Sequence, residues 1–125
     1  MANENRVLIR SFIAEEDLSS YQYHFIALSS TEDYVRLMDS TSEVACGILQ
    51  NAPEAGEAAS VMIEGISKLV AGSALDIGNI VASEYVSATD NGKGDYVTID
   101  NDNKRALVLK GVSAEDSLCT VHLKW

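Results

Sequence analysis

Two histidines, two cysteines and 19 carboxylates are the side chains of this 125-residue chain from which catalysis or ligand binding would be built. Acyl-transfer chemistry needs a histidine set between a nucleophile and an acid. His24 lies between Tyr23 and Phe25, the ordinary setting of a partly buried, hydrogen-bonded histidine, and His122 alternates outward on a C-terminal strand pattern. No G-x-S-x-G elbow is present. The run DNDNKR at 100–105 has the look of a calcium loop, but loop position six is Arg105 where glycine is needed, and position twelve is Gly111 where glutamate is needed. Gly92-Lys93 fails as a phosphate loop, because Gly94 stands where Ser or Thr would hold magnesium. Cys46 and Cys119 have no C-x-x-C spacing and are expected as free thiols buried on strands, since a protein made in a reducing cytosol rarely forms a disulfide. The carboxylates around Glu54, Glu57 and Glu64 lack the aromatic density of a sugar platform. These residues predict no enzyme, no metal and no cofactor.

Composition narrows the partners. Nine basic residues against 19 acidic ones give a formal charge of −10, and no Lys or Arg occurs between Arg36 and Lys68. Nucleic-acid binding depends on cations that displace condensed counterions, so no nucleic-acid partner is expected. Hydrophobic residues make up 46% of the chain, enough for one packed core. No apolar run approaches the roughly 20 residues that span a bilayer, and the N-terminal residues lack a secretory pattern. A chain made in the cytoplasm without a membrane partner is expected.

The elements that must position these side chains are short strands. Apolar runs at 23–28, 34–38, 46–50, 58–63, 66–70, 79–82 and 105–110 are bounded by Gly, Asn, Asp, Ser or Pro53. Gly65 breaks an alternation and calls for a tight hairpin or a bulge. DNGKGD at 90–95 reads as a hairpin loop, because Asn-Gly supplies the positive φ angles of a type I′ turn. At the C-terminus Cys119, Val121, Leu123 and Trp125 alternate with polar residues as an inward strand face. Many short strands and no long helical period predict a mainly β chain, a small β-barrel or sandwich of antiparallel strands. Residues 1–18 differ from this body. Val7, Leu8, Ile9, Phe12 and Ile13 form an apolar cluster followed by the acidic Glu15, Glu16 and Asp17, with no nearby strand to pair with. They form either an edge strand or an extended arm that orders against a neighbour.

The order of motifs is familiar. CGILQNAP at 46–53, AGE at 55–57, VMIEG at 61–65, LVAG at 69–72 and LDIGNIV at 75–81 resemble the head-decoration, or capsid cement, proteins of tailed bacteriophages. The resemblance is concentrated in residues 46–83 and is weak before Cys46. It favours the arm reading of residues 1–18, followed by a single β-rich decoration domain at 19–125. It implies a protein on the outer capsid surface of the virion that binds the major capsid protein, self-associates as a homotrimer and stabilises the expanded head against packaged DNA. The expected interface residues are Val7, Leu8, Ile9, Phe12 and Ile13, with Trp125 as either the last core residue or a terminal aromatic anchor. Two rival readings stay open. A receptor- or glycan-binding module of a tail or fibre would bring Tyr21, Tyr23, Tyr34, Tyr85 or Tyr96 into an exposed cluster. A small enzyme would bring His24 to Cys46 or Cys119.

Overall fold

A computed structural model describes residues 7–40 and 43–123, and within them the chain forms nine strands and no helix. They are β1 (Leu8–Ala14), β2 (Phe25–Leu28), β3 (Tyr34–Arg36), β4 (Gly47–Leu49), β5 (Ala58–Val70), β6 (Ile80–Ser87), β7 (Asp90–Val97), β8 (Ala106–Lys110) and β9 (Leu118–Leu123). The hydrogen-bonded order is β1-β3-β2-β4-β5-β9-β8-β6-β7, and β1 also pairs with β5. That extra pairing closes β1, β3, β2, β4 and the first half of β5 into a five-stranded barrel. The second half of β5 continues into a sheet with β9, β8, β6 and β7. A parallel bridge from Gly94 on β7 back to Ala71, just past β5, brings the far edge of this sheet round to its start. The mainly β barrel expectation therefore holds.

Packing follows from which faces these strands bury. Phe12, Ile26, Val35, Leu49, Ala59 and Val61 point into the barrel and fill it, with Leu18 as a plug. The outer faces of β2 and β4 carry Phe25, Ala27 and Ile48, which pack against Leu69, Val108, Val121 and Leu123 of the second sheet. Strands β2 and β4 are thus covered on both faces and read as continuous apolar runs. Strand β9 has one buried face, and Cys119, Val121 and Leu123 alternate inward as the sequence predicts.

Three expectations are revised, and at Gly65 the correction drops the hairpin and keeps its bulge alternative. Gly65 makes no hairpin: β5 runs unbroken for 13 residues, with Gly65 at φ 134°. Pairing with β1 ends at Glu64 and pairing with β9 begins at Gly65, so this glycine marks where the strand passes from one sheet to the other. The irregularity lies just upstream, where Leu8 pairs with Glu64 but Ile9 with Met62. Asn91-Gly92 is likewise no hairpin turn. The β6–β7 turn falls at Ala88 and Thr89, and Gly92 (φ 82°) is a bulge inside β7. Its backbone lies so close to β2 that a Cβ there would sit 2.6 Å from the Phe25 carbonyl oxygen.

The third correction concerns the arm. Of the predicted arm 1–18, residues 1–6 lie outside the described residues, and the remainder belongs to the barrel. Strand β1 pairs with β5 from Leu8 to Ile13 and with β3 at Ile13 and Ala14. Phe12, Ala14 and Leu18 are buried. The alternative of a strand in the body describes the segment, because its partner lies some 50 residues downstream.

Candidate functional site

Expected interface residues divide by position along β1. Val7, Leu8 and Ile9 are about half exposed. Over Leu8 to Phe12 this strand has β5 as a partner on one side, and β3 joins only at Ile13. Phe12 instead points into the barrel, and Ile13 is half-buried. Arg10 pairs with Asp33 at 3.0 Å and lies over the Phe12 ring, where a cation gains from the ring's electron-rich face. The outward group is therefore Val7, Leu8 and Ile9, at the start of a strand that is anchored by its second half. Trp125 lies outside the described residues.

A second arrangement lies within the second sheet, between β6, β7 and the turn before β9. The Gly92 bulge turns Lys93 toward the 115–116 turn, where its ammonium lies 2.7 Å from Asp116, 3.2 Å from Asp90 and 3.3 Å from Glu115. Asp116 takes a positive φ of 68° to meet it. On β6, Glu84 lays its carboxylate over Gly72, where a Cβ would meet Oε2 at 2.7 Å and the carboxylate would have to shift. Glu84, Asp90 and Glu115 bring carboxylate oxygens within 4.8 Å of one another. Glu84 Oε1 is buried and has no hydrogen-bond partner among the described residues. Asp90 Oδ1 touches the ammonium without hydrogen-bond geometry.

Burial first, then the charges of Asp95 and Asp90, push the Glu84 carboxyl above its ordinary range, while Lys93 draws it back. The carboxylates of Asp116, then Asp90 and Glu115, paired with its ammonium, hold Lys93 well above an ordinary lysine. Such a lysine stays charged at neutral pH and is neither nucleophile nor base. Its ammonium already occupies the acidic cluster, so the arrangement works as an ion-pair hub tying β7 to the turn before β9.

The residues singled out for catalysis are engaged separately. Burial holds the His24 imidazole below its ordinary value, and its Nδ1 faces the Gln22 carbonyl at 3.1 Å. Its ring meets Tyr21 edge-on at 5.2 Å. Both cysteines are free, and burial raises both thiols. The Cys119 thiol donates to the Leu69 carbonyl at 3.3 Å. Tyrosines are likewise dispersed. Tyr21 donates to the Thr89 carbonyl, Tyr23 lies beneath Lys68, and Tyr85 and Tyr96 line different grooves.

Sequence reasoning missed the apolar end of the second sheet, where Ile77, Tyr96 and Ile99 are exposed beside a groove of about 390 Å³. Locating the hairpin turn at 90–95 hid it, because a residue just past such a turn would begin a strand, whereas Tyr96 lies near the end of one. The Lys93 hub was also missed. Its members come from β6, β7 and the 115–116 turn, and no spacing in the sequence signals that meeting.

No protein-family model matches the chain, and no curated protein does. Among solved structures, the N base of the head fibre gp8.5 of bacteriophage phi29 has the same fold. The TM-score is 0.70 over 95% of each chain, at 13% sequence identity.

Proposed function

We propose that this chain is a structural protein of a tailed-phage head that seats on the outside of the expanded shell and bridges major capsid subunits. The observation that carries this reading is the shared fold with a phage head-fibre base along nearly the whole of both chains. A fold alone does not assign a function. The order of motifs at 46–83, which resembles the capsid cement proteins, is independent support. The half-exposed Val7, Leu8 and Ile9, held out on an anchored strand, supply apolar surface of the kind that docks on another protein. In this reading the active form is a homotrimer at threefold positions of the shell.

Stabilisation is mechanical and follows from linkage. A ligand whose sites exist only on the expanded lattice shifts the shell toward that state. Contacts of modest affinity gain strength when they repeat around a trimer and across a lattice. No catalytic step is involved. The glycan-binding rival depended on an exposed tyrosine cluster, whereas Tyr85 and Tyr96 line different grooves.

The experiment adds purified protein to DNA-filled heads of its own phage that lack it. Retention after sedimentation tests docking, and DNA release on heating or chelation tests stabilisation. Protein that fails to pellet with expanded heads refutes the reading. Equal release at saturating occupancy refutes the stabilising role.

A further inference from the structure

We propose that the groove between Ile80, Tyr96 and Ile99, at the far end of the second sheet, is the surface through which copies of this chain associate with one another. Its wall runs from Gly78 through Ile80 and returns along Tyr96, Thr98 and Ile99. Ile77 stands beside it on a tight turn, fixed by the Asp76 amide donating to Asn79 Oδ1 at 2.9 Å and the Asn79 amide donating to the Asp76 carbonyl at 3.0 Å. Ile77, Ile99 and Tyr96 are 75%, 68% and 55% exposed. Three large apolar side chains thus project at one end of the molecule around one concavity, which gives the apolar centre that protein interfaces need.

Charge identifies the occupant. The groove wall carries no Asp, Glu, Lys or Arg, whereas neighbouring grooves are lined by Glu84 and Asp95, or by Glu16, Arg36 and Asp39. Two chains of −10 repel each other, and carboxylate set against carboxylate opposes association. An uncharged patch lets like meet like without that cost, while a basic partner would match the acidic faces better. The exposed Asp76 and the Asp100 carboxylate, which accepts from the Thr98 hydroxyl at 2.6 Å, put their charge in the polar rim, where salt screens it. A cyclic assembly sets the same end of every copy around one axis, so a concave wall and the projecting Ile77 serve adjacent copies. This proposal rests on the head-protein reading only for the number of copies.

Sedimentation velocity on the free protein tests it. Wild type is expected as a concentration-dependent oligomer that strengthens with added salt, because salt screens the mutual repulsion. The double variant Tyr96→Glu, Ile99→Glu should sediment as a folded monomer, and the milder Tyr96→Ser, Ile99→Ser should weaken association at least tenfold. Leu28→Glu, at an exposed position outside the groove, should leave it unchanged. A wild type that remains monomeric at every concentration and salt, or a folded double variant that still assembles, overturns the proposal. So does a monomeric wild type whose head binding is abolished by the double variant, since the patch would then serve the shell protein. Oligomers that ignore phage heads would instead refute the head-protein reading and leave this one standing.

Discussion

Replacing Lys93 by methionine keeps the aliphatic stem and deletes the cation on which four carboxylates depend. The lysine side chain is 14% exposed, against 35%, 54% and 68% for Asp90, Glu115 and Asp116. Pairs with partners this exposed contribute only about 0–1 kcal/mol each. The variant also leaves the partly buried Glu84, whose Oε1 is out of water, beside Asp90 and Glu115 with no counter-charge, which adds a fraction of the penalty of an uncompensated buried charge. Together these come to about 2 kcal/mol at neutral pH. With a urea slope of about 2 kcal/mol per molar, the unfolding midpoint falls by about 1 M.

The effect must depend on pH in one direction. Glu84 has a folded-state affinity for protons above its unfolded one. Its stabilising contribution is therefore complete below the unfolded value and is lost as pH rises through the folded one. Lys93 offsets that loss, so the deficit of the variant is largest near pH 7 and shrinks on acidification toward about pH 4. Glu84→Gln should stabilise the wild type near neutrality and have little effect at about pH 4. Urea titrations followed by circular dichroism at both pH values measure all of this. A Lys93→Met penalty that is the same at both, or absent at neutral pH, would refute the ion-pair hub.

Further tests address the fold and the thiols. Phe12→Ala should cost about 3–5 kcal/mol by emptying the barrel, while Leu8→Ala changes stability by about 0.5 kcal/mol or less; deletion of residues 1–14 should abolish the folded circular dichroism spectrum, and a folded truncated chain would restore the arm. Gly92→Ala should lower stability by about 2 kcal/mol, from a left-handed alanine and its clash with the Phe25 carbonyl, and an unchanged melting temperature would remove that contact from the account. Cys119, buried and with a raised thiol, should resist iodoacetamide near neutral pH until urea unfolds the chain, as intact-mass measurement will show.

What the sequence made legible was local. The alternation in β9, the apolar runs of β2 and β4 and the dense turn residues are properties of a few neighbouring positions, and they led to a small barrel or sandwich. What it hid depends on partners far along the chain. The 7–13 cluster has no neighbour to pair with, and its role is decided by Ala58–Val70. Gly65 disturbs a pattern only if β5 serves one sheet, whereas this strand serves two. Asn91-Gly92 carries the composition of a turn, yet Gly92 is needed for its positive φ and for its approach to Phe25. Of the expected interface residues, composition singles out Val7, Leu8 and Ile9, and the structure adds that they are half exposed. The exposure of Tyr96 and Ile99 depends on the register of a bulged hairpin, which composition does not encode.

The sharing of β5 by both sheets has a consequence for how the chain folds. The barrel needs its first half and the second sheet needs its last, so neither sheet is a complete folding unit without the other's central strand. Pairings such as Leu8 with Glu64, and Val70 with Leu118, join positions about 50 residues apart, which slows folding toward milliseconds or longer. A single cooperative transition is the natural outcome. During synthesis β5 leaves the ribosome with β9 still unmade. Its last six residues then remain an open edge, able to pair with other chains, until residues 118–123 follow and cover it.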